Sequence, residues 1–148
     1  MKNRIQLAGI FLFSGISFIF AGTSGPLTYS VVGGTQIQIT DCNTNTSGVV
    51  SIPATLEGKP VTRIGYQAFM DCSGITKIDI PDGLELIDGL AFYNCSGLTY
   101  VFIPASVGVI NDQVFKNCIH LKRAIFKGNA PSTFGLNVFF NAASGFKI

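Results

Sequence analysis

Residues 68–83 read AFMDCSGITKIDIPDG, and the pattern returns at 91–106 as AFYNCSGLTYVFIPAS and at 114–129 as VFKNCIHLKRAIFKGN. The step is constant, a 23-residue repeat. Phe69, Phe92 and Phe115 coincide, as do Cys72, Cys95 and Cys118 and, before them, Ala68, Ala91 and Val114. Ile75, Leu98 and Leu121 follow, then Ile78, Val101 and Ala124, then Ile80, Ile103 and Phe126, while Ile64, Ile87 and Ile110 begin the unit. A fixed short period marks one small supersecondary unit that cannot bury its apolar face alone, so neighbours must stack into a continuous core.

The spacing Ile/Leu-x-x-Ile/Val-x-Ile within a period of this length predicts a leucine-rich-repeat solenoid, each unit a short parallel strand plus a short helical turn. The aliphatic residues point inward from the strand, and Pro81 and Pro104 end it because proline has no N–H for a further ladder bond. The third copy has Lys127 there. The Ala-Phe-x-x-Cys piece suits one or two turns of helix, with Ala68 and Cys72 on one face. Gly65, Asp88 and Asn111 stand as N-caps. Gly74 and Gly97 stand where a helix end wants a left-handed residue, and His120 replaces them in the third copy. The phenylalanines are expected to form a ladder on the convex side.

Four segments follow. Residues 1–24 read as a signal peptide, 25–63 as an N-terminal hairpin and first unit, 64–126 as three regular repeats, and 127–148 as a degenerate fourth repeat. In LTYSVVGGTQIQIT, residues 27–40, two alternating runs flank Gly33-Gly34; two glycines supply the positive φ of a two-residue hairpin turn, so this stretch is read as a β-hairpin cap. The interval from Ile52-Pro53 to Ile80-Pro81 is longer than that from Ile80-Pro81 to Ile103-Pro104, which places an insertion around Gly58-Lys59-Pro60. The fourth unit breaks off at Phe146-Lys147-Ile148 where its strand should begin, and the array is expected to continue.

The leader carries Lys2 and Arg4, then an uncharged apolar run from Leu7 to Ala21, then small residues. This is the layout of a secretory signal peptide, with cleavage after Ala21, Gly22 or Ser24; an uncleaved anchor is the alternative, although the run is short of the ~20 residues a span needs. Beyond the leader, eight basic residues meet eight acidic ones, which leaves no excess of positive charge for nucleic acid. Four cysteines in an exported chain suggest disulfides. Cys72, Cys95 and Cys118, however, hold equivalent positions, and equivalent positions stack as a column of small buried thiols. Cys42 lies outside the column.

Little in the chain carries chemistry. His120 is the only histidine, and a Cys118/His120 nucleophile pair lacks an orienting third group. Zinc wants closely spaced Cys or His, which cysteines a full repeat apart do not supply. Asp82 sits in the turn sequence Pro81-Asp82-Gly83. Asn45-Thr46-Ser47 and Asn94-Cys95-Ser96 fit the glycosylation pattern, the second with a cysteine expected to be buried. No enzyme activity and no cofactor is expected. The informative surface is the strand face that alternation turns outward. It should carry Lys77, Tyr100 and Arg123 in one column and Asp79, Phe102 and Ile125 in the next. Exposed aromatic residues beside Arg and Lys mark a candidate surface for a protein or glycan.

The stretches IGYQAFMDCSGITKIDIP, IDGLAFYNCSGLTYVFIP and INDQVFKNCIHLKRAIF resemble the BspA-type leucine-rich repeat, as do VVSIPATLEGKPVTRIG before them and FKGNAPSTFGLNVFFNAASGFKI after. The resemblance covers residues ~27–148. It implies a secreted or cell-surface protein, of a family linked to adhesion to host matrix proteins and to cell–cell contact and without a catalytic motif. The expected function is therefore an exported, non-enzymatic module that binds an extracellular protein or glycan. A structural spacer, or a fragment of a longer array with no ligand of its own, is the alternative.

Overall fold

The computed structural model describes residues 21–148. Its strands are β1 (Ala21–Ser24), β2 (Leu27–Val32), β3 (Gln36–Cys42), β4 (Gly48–Ser51), β5 (Thr55–Leu56), β6 (Lys59–Ile64), β7 (Ile75–Asp79), β8 (Leu86–Ile87), β9 (Tyr100–Ile103), β10 (Val109–Ile110), β11 (Arg123–Phe126) and β12 (Thr133–Phe134). Parallel strands stack coil upon coil, as the period requires. One side of the coils is formed by β3, β6, β8, β10 and β12, which run parallel in that order. A second side has β4 beside β7 and β9 beside β11, both parallel. Between these two pairs, Thr99 N–H reaches Thr76 O at 3.4 Å. The Ala-Phe-x-x-Cys segment forms the third side.

The core lies between the three sides. Ile64, Phe69, Cys72, Ile75 and Ile78 are buried, as are their counterparts in the next two coils. Phe69 and Phe92 stack with centroids 4.9 Å apart, Phe92 and Phe115 at 5.1 Å, and Phe115 and Phe139 at 5.4 Å. These separations are the offset-stacked spacing of aromatic rings. Phe139 stands one position beyond the place the regular step from Phe115 would give, so the last coil absorbs an extra residue without leaving the ladder.

The third side is not helical: among the described residues there is no helix, and the expected short helical turns are corrected here. The reason lies in where the N–H groups go. In an α-helix each interior N–H donates to the carbonyl four residues back. Here Gln67, Phe69 and Asp71 donate to Gly89 O, Ala91 O and Tyr93 O of the next coil, at 3.2, 2.7 and 3.0 Å. Ala68, Met70 and Cys72 donate instead three residues back, to Gly65 O, Gln67 O and Phe69 O. Alternating the donors in this way turns the backbone into positive φ twice per coil, at Gln67 (59°) and Asp71 (62°), Leu90 (58°) and Asn94 (60°), Gln113 (59°) and Asn117 (63°), and Asn137 (56°) and Asn141 (62°). Asp and Asn tolerate the left-handed region better than other residues with a Cβ, which accounts for Asp71, Asn94, Asn117 and Asn141. Interior helices are lost to a ladder that satisfies the same groups between coils.

That ladder is polar. The peptide joining Ala91 to Phe92 accepts from Phe69 N–H and donates to Val114 O, and Phe115 N–H continues to Val138 O. Parallel chains run from Gln67 through Leu90 and Gln113 to Leu136 O, and from Asp71 through Asn94 and Asn117 to Phe140 O. Every N–H in these three chains points toward the C-terminal end of the solenoid. Such alignment is what gives a helix its dipole, whereas strand ladders nearly cancel.

Gly74 and Gly97 are also corrected. Neither has positive φ. They are glycines because a Cβ at Gly97 would meet Ser73 O and Ile75 O, and one at Gly74 would meet Thr46 O at 2.8 Å. In the third copy His120 occupies this place and its Nδ1 lies 2.6 Å from Ser96 O. A carbonyl only accepts, so Nδ1–H is the donor. Where Pro104 has no N–H to give, Lys127 does, and it donates to Ile103 O at 2.9 Å.

At the N-terminal end the hairpin cap needs correction too. β1, β2 and β3 form a three-stranded antiparallel run, and β3 pairs parallel with β6 on its other edge, so these strands are continuous with the main sheet rather than a separate cap. Ile37 and Ile39 of β3 are fully buried. The turn has left-handed Gly33 and Gly34, but Val32 pairs with Gln36, which makes the loop three residues long.

The outward strand face as candidate functional site

The repeat register brings the predicted residues to one surface. Tyr100 lies opposite Arg123 and Phe102 opposite Ile125, on the paired strands β9 and β11. Lys77 and Asp79 occupy the same register positions on β7, one repeat earlier. Tyr100 is 38% exposed, Arg123 is exposed, and Phe102 and Ile125 are half-buried. The Tyr100 and Phe102 rings meet edge to face with centroids 5.6 Å apart, so Phe102 buttresses the ring that faces solvent.

Lys77 Nζ and Asp79 Oδ1 are 2.7 Å apart, and Ser51 Oγ donates to Asp79 Oδ2 at 3.2 Å. Hydrogen bonding to Asp79 raises the Lys77 ammonium pKa, and the same bond lowers that of the Asp79 carboxyl. Both side chains are solvated, so the pair adds little to stability; it sets the charge pattern of the face.

Three further residues belong to the columns. Val49 lies opposite Lys77 and Ser51 opposite Asp79, both on β4. Lys147 forms a parallel bridge with Arg123. The longer interval that separates Ile52-Pro53 from Ile80-Pro81 already places Val49 and Ser51, since it carries them onto Lys77 and Asp79. Lys147 lies one position beyond a regular step from Arg123, so a strict period misses it.

Residues with nucleophilic potential are taken up elsewhere. Cys118 is fully buried and donates to Phe92 O at 3.1 Å; burial pushes its thiol up to about 12. Cys95 donates likewise to Phe69 O at 3.0 Å, and burial raises its pKa as well. Cys42 heads the same column, with Cys72 Sγ 3.7 Å from Cys42 O. Contact with Cys42, then burial, raises the Cys72 thiol. His120 is exposed and engaged with Ser96 O, so the Cys118/His120 pair is not assembled. Among the described residues no three His, Cys, Asp or Glu side chains converge as metal ligands. The four cysteines are all thiols. In the folded protein Cys72, Cys95 and Cys118 should therefore resist an aromatic disulfide reagent at mildly alkaline pH, and all four thiols should react after unfolding without reductant. A peptide containing two of these cysteines joined by a disulfide would contradict the column.

Comparisons with known proteins agree with this geometry. A crystal structure of a leucine-rich repeat protein from Bacteroides ovatus ATCC 8483 is 29% identical, with a TM-score of 0.63 over 79% of this chain and 32% of that one. The chain thus spans about a third of that protein's length. A leucine-rich repeat protein from Bacteroides capillosus ATCC 29799 is 24% identical, with a TM-score of 0.51 over 73% of this chain and 99% of that one. The pneumococcal vaccine antigen PcpA, 18% identical, has a TM-score of 0.51 over 88% of this chain and 49% of that one. Curated protein sequences gave no significant match. The family model for the BspA type leucine rich repeat region matches residues 42–145 in six copies. Those residues hold the phenylalanine ladder, the thiol column and the outward strands, and by that match the chain belongs to the BspA-type leucine-rich repeat family.

Proposed function

We propose that the protein is an exported, non-enzymatic binding module that holds an extracellular partner, a protein or a glycan, on its outward strand face and so serves adhesion at the cell surface. The observation that carries this reading is the solvent-facing Tyr100, buttressed by Phe102 and in register with Arg123. Aromatic residues and arginine dominate binding hot spots because they combine large apolar area with directed hydrogen bonds. The family supports a repeat-based binding or scaffold role.

The test is a binding screen of extracellular-matrix proteins and glycans with the parent and a Tyr100→Ala/Phe102→Ala variant. Neither side chain enters the central core, so the variant should keep its thermal melt while affinity falls by at least about tenfold. Undiminished binding by the variant would assign the partner to another face. No binding by the parent would leave the spacer role.

Export rests on the leader, whose residues 1–20 lie outside the described ones. Intact-mass analysis of material from the culture medium should show loss of residues up to Ala21, Gly22 or Ser24. The site matters to the fold, because β1 spans Ala21–Ser24 and pairs with β2: cleavage after Ser24 removes that strand, whereas cleavage after Ala21 keeps most of it. A full-length product held in the membrane would contradict the signal-peptide reading.

A further inference from the structure

The balanced total charge hides a division along the chain. All eight acidic residues lie at or before Asp112, whereas Lys116, Lys122, Arg123, Lys127 and Lys147 follow it with no acid among them. Because coils stack in chain order, this division becomes a charge gradient along the solenoid axis. Lys122, Arg123, Lys127 and Lys147 are all exposed.

On the outward face the gradient becomes specific. Lys77 is neutralised by Asp79, the one ion pair among the described residues. Arg123 and Lys147 stand side by side in parallel register, and neither forms an ion pair with a carboxylate among the described residues. Like charges directly across a strand pair disfavour the fold, so stability gives no account of this placement. Tyr100 adjoins Arg123 on the other side.

We infer that the partner of this face is an anionic polysaccharide, a linear glycan bearing carboxylate or sulfate groups. It would lie across the strands with its anionic groups on Arg123 and Lys147 and a sugar ring against Tyr100. This rests on the proposed binding role of the same face. Two observations favour a glycan over an acidic protein segment. Protein interfaces have a core depleted of charge, whereas here cations alternate with a small aromatic patch of which Tyr100 alone is substantially exposed. The columns also repeat at the strand spacing of about 4.8 Å, which suits a regular linear polymer lying across them.

The experiment measures binding of the full chain to heparin, a sulfated polysaccharide, to hyaluronan, whose only anions are carboxylates, to neutral dextran, to polyglutamate and to a single-stranded oligonucleotide. Heparin, hyaluronan or both should bind, and which of them binds identifies the anion. Dextran should not bind. Binding should weaken as salt rises, because exposed charges are screened. Arg123→Gln/Lys147→Gln should lose at least tenfold, Tyr100→Ala should lose affinity as well, and Lys116→Gln on the turn side should match the parent, none with a lowered melt. Tighter binding of polyglutamate or of the oligonucleotide than of either polysaccharide overturns the proposal in favour of an acidic protein or a nucleic acid. Polysaccharide binding unaffected by the face variants overturns it too, since the anion then sits elsewhere. If no polysaccharide binds while a screened protein partner is lost with Tyr100→Ala/Phe102→Ala, the glycan inference fails and the binding face stands.

Discussion

Phe92→Ala is expected to destabilise the protein by about 3–5 kcal/mol in equilibrium chemical denaturation. The ring is 1% exposed and is the inner rung of the ladder, stacked on Phe69 at 4.9 Å and on Phe115 at 5.1 Å. Truncation removes the transfer free energy of the ring and leaves a void. The void cannot close by bringing the coils together, because hydrogen-bond ladders on three sides fix their separation. The cost should therefore lie in the range of poorly collapsing sites. Phe139→Ala, at the end of the ladder and half-buried, should cost less, and exposed Glu85→Ala should stay within about 0.5 kcal/mol. Equal losses at Phe92 and Glu85 would mean that the repeat register does not describe the core.

The reason this register can be read from one sequence is that burial repeats it. Ile64, Phe69, Cys72, Ile75 and Ile78 recur at fixed positions because each coil presents the same inward surface to its neighbours, so apolar residues report stacking directly. The outward columns follow from the same register, and Tyr100 meets Arg123 as the arithmetic says. What the pattern concealed was hydrogen bonding. An Ala-Phe-x-x-Cys spacing is compatible with one helical face, and apolar periodicity alone does not say whether N–H groups bond within the segment or across to the next coil. The discriminating signal was polar: Asp71, Asn94, Asn117 and Asn141 stand at equivalent left-handed positions, and residues of that type interrupt a helix. Gly74 and Gly97 misled in the opposite sense. Glycine serves both positive φ and close backbone approach, and here the second reason holds. Cys42 and Lys147 escaped because the first and last coils differ in length from the regular ones, so a strict step misses the head of the thiol column and the end of the cationic column.

Gly97→Ala is the second substitution expected to have a large effect, about 2 kcal/mol of destabilisation. Two contributions oppose each other. Gly97 lacks positive φ, so alanine meets no backbone strain, and restricting the unfolded chain alone would stabilise by ~0.4–1 kcal/mol. Against this, the new Cβ would meet Ser73 O and Ile75 O, both main-chain atoms of the preceding coil. Those atoms are held: Ser73 N–H donates to Asp71 O at 2.7 Å, and Ile75 begins β7, which pairs with β4. A collision with fixed backbone falls in the ~1–3 kcal/mol range of overpacking and outweighs the entropic gain. Gly108→Ala is the matched comparison. Its backbone is likewise unstrained, but the nearest group is Ser132 Oγ at 3.9 Å, so the entropic gain should stand alone and the variant should be neutral or stabilised by up to ~1 kcal/mol. Denaturant midpoints of the two variants should thus move in opposite directions or, at the least, differ by more than about 1 kcal/mol once converted. His120 in the equivalent place indicates how a coil accommodates a Cβ: the side chain takes up a hydrogen bond from Nδ1 to Ser96 O, which alanine cannot make. If Gly97→Ala proves as benign as Gly108→Ala, the preceding coil can retreat from that oxygen contact, and glycine at 74 and 97 would need another cause.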